Sequence, residues 1–175
     1  SKRIYRITTS YVSETSKEHA AWGDPSVGPM SKELYAEIEN YTSLVNEPVT
    51  VSSDDKPFRE DKFFYSDTNY FSVFDYQFVT GSYKSFKPGT IVLTQTAATK
   101  YFEYGDPLGQ SLTVEKKEFL VVGVIEDLPL HTDLKFDAMM AVDNLMSISG
   151  WTFNFLLFKE GSDPENFQPK LDKIF

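Results

Sequence analysis

Hydrophobic and polar positions alternate in short bursts along the chain, with a few helical periods between them. Ile4, Arg6 and Thr8 fall on one side of the first segment, and Tyr5, Ile7, Thr9 and Tyr11 on the other. This predicts a strand over residues 4–12. A Gly- and Pro-rich loop, Trp22 to Pro29, follows. Met30, Leu34, Ile38 and Tyr41 then recur at i, i+4, i+8 and i+11, which predicts an amphipathic helix with Lys32, Glu33, Glu37 and Glu39 on its wet side. From Leu44 the period changes to two. Val49 and Val51 alternate with Thr50 and Ser52, Asp54 to Pro57 supplies turn residues, and Phe58 to Tyr65 returns as a second strand of a hairpin.

Asp67 is placed to N-cap a short helix over residues 68–74, with Tyr70, Phe71 and Phe74 on its apolar side. Strands are expected at residues 77–81 and 90–94, then a helix over 95–102 with Ala97/Tyr101 and Ala98/Phe102 as i, i+4 pairs. Gly105 to Gly109 has turn chemistry. Residues 111–114 and 118–126 read as strands. The second is apolar on both faces, as a central strand is, and Gly123 within it points to a bulge or a close backbone approach. Residues 136–142 and 151–158 are the last predicted strands, with Trp151, Phe153, Phe155 and Leu157 sharing a face. Asp163 and Pro164 open a closing helix that brings Phe167, Leu171 and Ile174 together, and Pro169 interrupts it. Strands with interspersed short helices make the fold class α+β.

Composition narrows the function. The 175 residues suffice for one domain or two small lobes, and 41% hydrophobic with 15% aromatic content supports a packed core. The formal net charge of −9 argues against nucleic acid, whose phosphates need a basic face. No apolar run reaches the roughly 18–20 residues that span a bilayer. The absence of cysteine excludes disulfides and thiolate metal sites.

Candidate chemistry is sparse, and catalytic, cofactor and metal sites are all expected to be absent. His131 lies near Glu126, Asp127, Asp133 and Asp137, but one histidine without a second at ligand spacing reads better as a solvated acidic loop. His19 stands alone. Ser53 and Lys56 have the spacing of a Ser/Lys nucleophile pair but fall on a hairpin turn. Asn40-Tyr41-Thr42 is a glycosylation-type sequon without a bacterial role, and no Walker loop is present. Trp22, in its Gly/Pro loop, is the one candidate partner contact.

Four motifs occur in order: Asp67-Thr68-Asn69-Tyr70-Phe71-Ser72-Val73-Phe74, running on to Gly81; Val92-Leu93-Thr94 to Lys100-Tyr101-Phe102; Asp106-Pro107-Leu108-Gly109; and Val121-Val122-Gly123-Val124 to Glu126. This order resembles the MacB-like periplasmic core domain of FtsX-type ABC transporter permeases, particularly those of Bacteroidetes. Leu134 to Ala138 and Phe155 to Pro164 resemble the later part of that domain. Gln110 departs from the family's usual basic residue, and the stretch between Met146 and Trp151 is shorter than the family leads one to expect.

The resemblance implies a porter-like βαβ lobe (residues 1–56 and 135–175) with an inserted strand-rich, Sabre-like lobe (residues 57–134). It implies a non-enzymatic periplasmic domain lying between transmembrane helices outside Ser1 and beyond Phe175. Such a domain carries no cofactor of its own, because a separate ABC ATPase subunit or domain uses the ATP. Its implied partners are the transmembrane helices of the same chain, that ATPase, a second permease copy in a homo- or heterodimer, and a periplasmic protein or lipoprotein substrate. A periplasmic small-ligand sensor is the alternative reading.

Overall fold

The computed structural model describes residues 3–12, 15, 17–54 and 56–174. In chain order these form β1 (Ile4–Ile7), β2 (Thr9–Val12), β3 (Lys17–Ala20), α1 (Val27–Leu34), β4 (Ile38–Asn46), β5 (Val49–Ser53), β6 (Lys56–Glu60), β7 (Phe63–Ser66), α2 (Tyr70–Val73), β8 (Phe78–Gly81), β9 (Thr90–Thr94), α3 (Gln95–Phe102), β10 (Ser111–Val114), β11 (Lys117–Ile125), β12 (Ala138–Ala141), β13 (Phe153–Phe158) and α4 (Gln168–Leu171). The class is α+β, as the pattern predicts. Two compact units divide the chain: Ser1–Val45 with Asn144–Phe175, and Asn46–Asp143.

In the first unit, β13 pairs antiparallel with β1 on one side and with β4 on the other. β1 and β4 therefore run parallel, separated by β13, with α1 in the connection between them: a split βαβ arrangement. β2 and β3 form a separate hairpin. Ile7, Val27, Ile38, Leu156, Phe158 and Phe167 make the core, and Tyr35, Tyr41 and Leu171 pack against it. Edge-to-face rings tie the last turn to the sheet, with Phe158–Phe167 and Tyr35–Phe167 centroids both 5.1 Å apart. Lys170 adds an ion pair with Glu37 and lies 5.6 Å from the centre of the Tyr35 ring.

The amphipathic helix expected to reach Tyr41 is shorter and lies earlier. Tyr35 turns extended (φ −129°, ψ 117°), and residues from Ile38 onward are drawn into pairing with β13. The buried side of α1 is Val27, Gly28 and Ser31, whereas Met30 and Leu34 are exposed. Gly28 is required there, since a β-carbon would sit 2.6 Å from the Tyr41 ring. The first predicted strand is broken at Thr8 into β1 and β2. The closing helix is split too, into a 3-10 turn at Glu165–Phe167 and α4, with Pro169 in the first turn of α4.

In the second unit the strands run β7-β12-β9-β11-β10-β5-β6, with β8 also on β11. β7–β12 and β9–β11 are parallel, and the other pairs are antiparallel. β11 is central, as its two apolar faces predict, and pairs with β8, β9 and β10. Its register against β9 shifts between Val121 and Gly123, and a β-carbon on Gly123 would stand 2.6 Å from the Phe78 ring. The expected bulge is present, and the group that crowds the open side of this glycine is the Phe78 ring.

α3 spans the predicted residues, and the Thr94 hydroxyl accepts a hydrogen bond from the Ala97 amide at its start. Its Ala97, Ala98 and Tyr101 close over Ile91, Leu93, Leu112, Val121 and their neighbours. A second cluster of rings gathers around Tyr70, which contacts Phe71, Phe74, Tyr76 and Phe136 with centroids 5.1–5.9 Å away. Burial raises the Tyr70 hydroxyl's pKa, reinforced by Tyr76.

Two local expectations need correction. The hairpin is β5–β6, closing at Ser53 opposite Lys56, and the predicted second strand breaks at Asp61-Lys62, so that β7 pairs in parallel with β12 instead. Asp67 does not cap a helix. Its Oδ1 accepts from the Asn69 amide at 2.9 Å in a turn, and α2 begins only at Tyr70. The compact units also divide at 45/46 and 143/144 rather than at 56/57 and 134/135. The pairing explains this, because β5 and β6 join β10 while β12 lies between β7 and β9.

Candidate interaction surface

Trp22 leaves β3 and leads directly into an isolated antiparallel bridge between Gly23 and Thr152. The two residues exchange both backbone hydrogen bonds, each 2.9 Å. Gly23 lets the loop lie close against β2, since a β-carbon there would stand 2.8 Å from Thr9 Oγ1. Beneath the bridge sits a buried polar network. Ser43 donates to Asn154 Oδ1 at 2.6 Å, Thr152 donates to the same oxygen at 2.8 Å, and Asn154 Nδ2 donates to the Asp24 carbonyl at 3.0 Å. Asp24 Oδ1 in turn accepts from the Ser26 amide at 2.8 Å, shaping the entry to α1. Ser43, Thr152 and Asn154 are all buried. Satisfied networks of this kind hold a loop in one geometry.

The consequence is a fixed display of two indoles. Gly23 opposes Thr152, so Trp22 falls opposite Phe153 and Trp151 opposite Asp24. The two tryptophans flank this bridge, Trp22 one residue before Gly23 and Trp151 one residue before Thr152. Trp22 is 50% exposed and Trp151 51%. The segment leading to Trp151 also exposes Met146 and Ile148, while the buried Leu145 anchors it. Trp22 thus lies where the sequence suggests, on the surface. Trp151 was expected on the apolar face of a strand, but β13 begins two residues later, at Phe153. The Ser147-Ile148-Ser149-Gly150 break just before it is the signal that could have set it outside the strand.

The chemistry candidates are not brought together. His131 is exposed, and Asp127 is engaged elsewhere, its carboxylate accepting from the Thr96 amide and hydroxyl at 2.9 and 2.7 Å. Among the described residues no group of three acidic or histidine side chains is arranged to hold a metal. The His19 ring shares a hydrogen bond with the Ser10 hydroxyl at 2.9 Å. Ser53 is buried and donates to the Tyr101 carbonyl at 2.8 Å, while Lys56 lies 3.8 Å from Glu103. That serine fastens α3 to β5. Among the described residues, no helix is long and apolar enough to cross a membrane.

A family model, the MacB-like periplasmic core domain, matches residues 1–174. The chain belongs to this family of periplasmic domains of ABC transporter permeases. Its fold is similar to a domain of a putative permease protein from Porphyromonas gingivalis (TM-score 0.81, 18% identity, covering 98% of this chain and 81% of that one). It is also similar to the periplasmic region of MacB from Actinobacillus actinomycetemcomitans (TM-score 0.66, 15% identity, 85% and 71% covered). A third similar structure is the extracellular domain of the noncanonic ABC-type transporter YknZ from Gram-positive bacteria (TM-score 0.63, 11% identity, 85% and 78% covered). A search of curated proteins found no match.

In this MacB-like domain the resemblance-bearing motifs serve the framework. Asp106 Oδ1 accepts from the Leu108 amide at 3.0 Å, and Gly109 takes the left-handed conformation (φ 80°) that Gly supplies at little cost. The turn then locks onto β11, with Gly109 donating to the Val121 carbonyl and Val121 to the Gln110 carbonyl.

Proposed function

We propose that this domain is a non-catalytic transmission element. It would pass conformational change driven by ATP hydrolysis in a separate ABC ATPase to a protein or lipoprotein outside the membrane. The observation that carries this reading is the Trp22–Trp151 pair, held by the Gly23–Thr152 bridge and the Asn154 network in a MacB-like periplasmic core domain. Half-exposed tryptophans on a rigid support are the residues that anchor protein contacts. A fixed mount moves with its unit when the unit is displaced, so motion is delivered rather than absorbed. The split βαβ unit supports a porter-like role for the first unit, and the strand-rich second unit a Sabre-like one. The further partners of this reading are the transmembrane helices of the same permease chain and a second permease copy.

The test uses the intact permease with its ATPase in membranes. A photo-crosslinking amino acid replaces Trp22, and in a second variant Trp151. Crosslinks to an extracytoplasmic protein whose yield differs between ATP-bound and vanadate-trapped states are expected. Crosslinks that are the same in every nucleotide state would overturn the transmission reading. Saturable calorimetric binding of a small molecule, without any protein crosslink, would favour the sensor instead.

A further inference from the structure

The first unit has an open sheet edge beside a groove. β1 pairs only with β13 among the described residues. The Phe158 amide donates to the Arg3 carbonyl, which makes Arg3 and Phe158 a hydrogen-bonded pair. In an antiparallel ladder such pairs alternate. Tyr5 and Ile7 therefore also turn their backbone groups toward β13, and Ile4 and Arg6 turn theirs outward. A groove of about 290 Å³ begins at the end of this edge, lined by Ile7 and then by Thr8, Thr9 and Ser10 leading into β2, and is walled on the far side by Gln168, Leu171 and Asp172. A smaller hollow of about 110 Å³ continues it along Tyr5 and Arg6 toward Phe167. Leu156 and Phe158 of β13 line this hollow too, so it lies over the β1–β13 face beneath α4 and reaches the strand's edge at Arg6 and Thr8.

The two sides of the edge differ in chemistry. Tyr5 and Ile7 share a face with Leu156 and Phe158, the apolar side beneath α4. Arg6 shares the opposite face with Phe155, is exposed, and forms no ion pair among the described residues. An unpaired edge is a template for another strand. Ile7 and Leu171, the apolar residues of an otherwise polar groove, on one side and the free guanidinium on the other set how that strand should alternate.

We infer that the β1 edge receives an extended segment of a partner protein by strand addition. Its alternate residues are apolar and seat in the groove against Ile7 and Leu171, while those between them are acidic and face Arg6. Main-chain hydrogen bonds to Ile4 and Arg6 give the attachment, and the alternation gives the selectivity. This surface is separate from the Trp22–Trp151 pair, and the inference does not depend on the transmission reading.

The probe is a capped synthetic peptide of alternating valine and glutamate, titrated into the isotope-labelled 175-residue chain. Amide hydrogen exchange at Ile4 and Arg6 should slow at least tenfold on saturation, with other strand amides unchanged. Arg6→Glu should weaken binding at least tenfold and favour a valine–lysine peptide. Arg6→Gln, which removes the charge without reversing it, should give an intermediate loss. Unchanged exchange at Ile4 and Arg6 with the peptide in excess would overturn the inference. So would protection that rises with protein concentration in the absence of peptide, because the edge would then be pairing with a second copy of the chain.

Discussion

Asn154 donates to the Asp24 carbonyl at 3.0 Å, joining strand β13 to a loop 130 residues away in sequence. The same side chain accepts from Ser43 and Thr152, so one buried amide organises three segments. Asn154→Leu keeps the branched shape but removes three hydrogen bonds, those with Ser43, Thr152 and the Asp24 carbonyl. Each such bond contributes about 0.5–1.5 kcal/mol, so the net loss should be about 3 kcal/mol. Urea unfolding should report it. Tryptophan emission should shift in the folded state as the Trp22 loop loosens. An unchanged spectrum would show that the network does not hold the indoles.

Gly123 and Phe78 make a second test. Gly123→Ala forces a β-carbon into the Phe78 ring and should destabilise by about 1–3 kcal/mol, the usual cost of overpacking. Phe78→Leu trims the ring. The double variant should be more stable than the sum of the two single losses predicts, and a thermodynamic cycle measures that coupling. Strict additivity would mean that the glycine answers to the β11 register shift alone.

These pairs mark where the sequence could be read and where it could not. α3 and β11 were legible because each carries its determinant locally: an N-capping Thr94 with i, i+4 apolar pairs in one, and two continuous apolar faces in the other. β4 was not. Met30, Leu34, Ile38 and Tyr41 satisfy a helical period, yet residues from Ile38 pair with β13, over 100 positions away, and tertiary pairing overrides the local pattern. Thr42 and Ser43 look like surface residues for the same reason, since the Asn154 that satisfies Ser43 is remote. Trp22 could be read from its Gly/Pro loop, but its pairing with Trp151 depends on a single bridge that no periodicity encodes.

Acid should act on the Glu37–Lys170 pair. The hydrogen bond from Lys170 is the main reason that the Glu37 carboxyl lies below its usual pKa of 4.5. A depressed folded pKa stabilises above the unfolded value, and that contribution is lost as pH falls through the folded one. Glu37→Gln should therefore be less stable than the parent at pH 7, with the difference closing below pH 4.5. Denaturant titrations across pH 3–7 check this. A gap that persists at pH 3 would assign the loss to packing around Tyr35 rather than to charge.

Base should act through Tyr70. Its hydroxyl is buried and shares a 2.7 Å hydrogen bond with Tyr76, and its pKa is raised chiefly by desolvation. Below pH 10 both folded and unfolded chains keep this proton. Above it only the unfolded chain ionises, and stability should fall by about 1.4 kcal/mol per pH unit from this group. Tyr70→Phe should cost about 1 kcal/mol at neutral pH for the lost hydrogen bond. It should also make the alkaline decline shallower, as followed by circular dichroism from pH 8 to 12. A decline of unchanged slope would exclude Tyr70 as its source.

The position of β13 between β1 and β4 governs the order in which the chain can fold. Both neighbours precede the second unit in the chain, yet the strand that joins them follows it. As the chain emerges, residues 46–143 already hold every strand of the β7-to-β6 sheet and can close it. β1 and β4 must wait, unjoined, until residues 153–158 arrive. A released chain truncated after residue 143 should therefore show a protease-resistant second unit on a digestible N-terminal segment. The first unit, which mounts both tryptophans, should become resistant only in a chain that extends through β13 to α4.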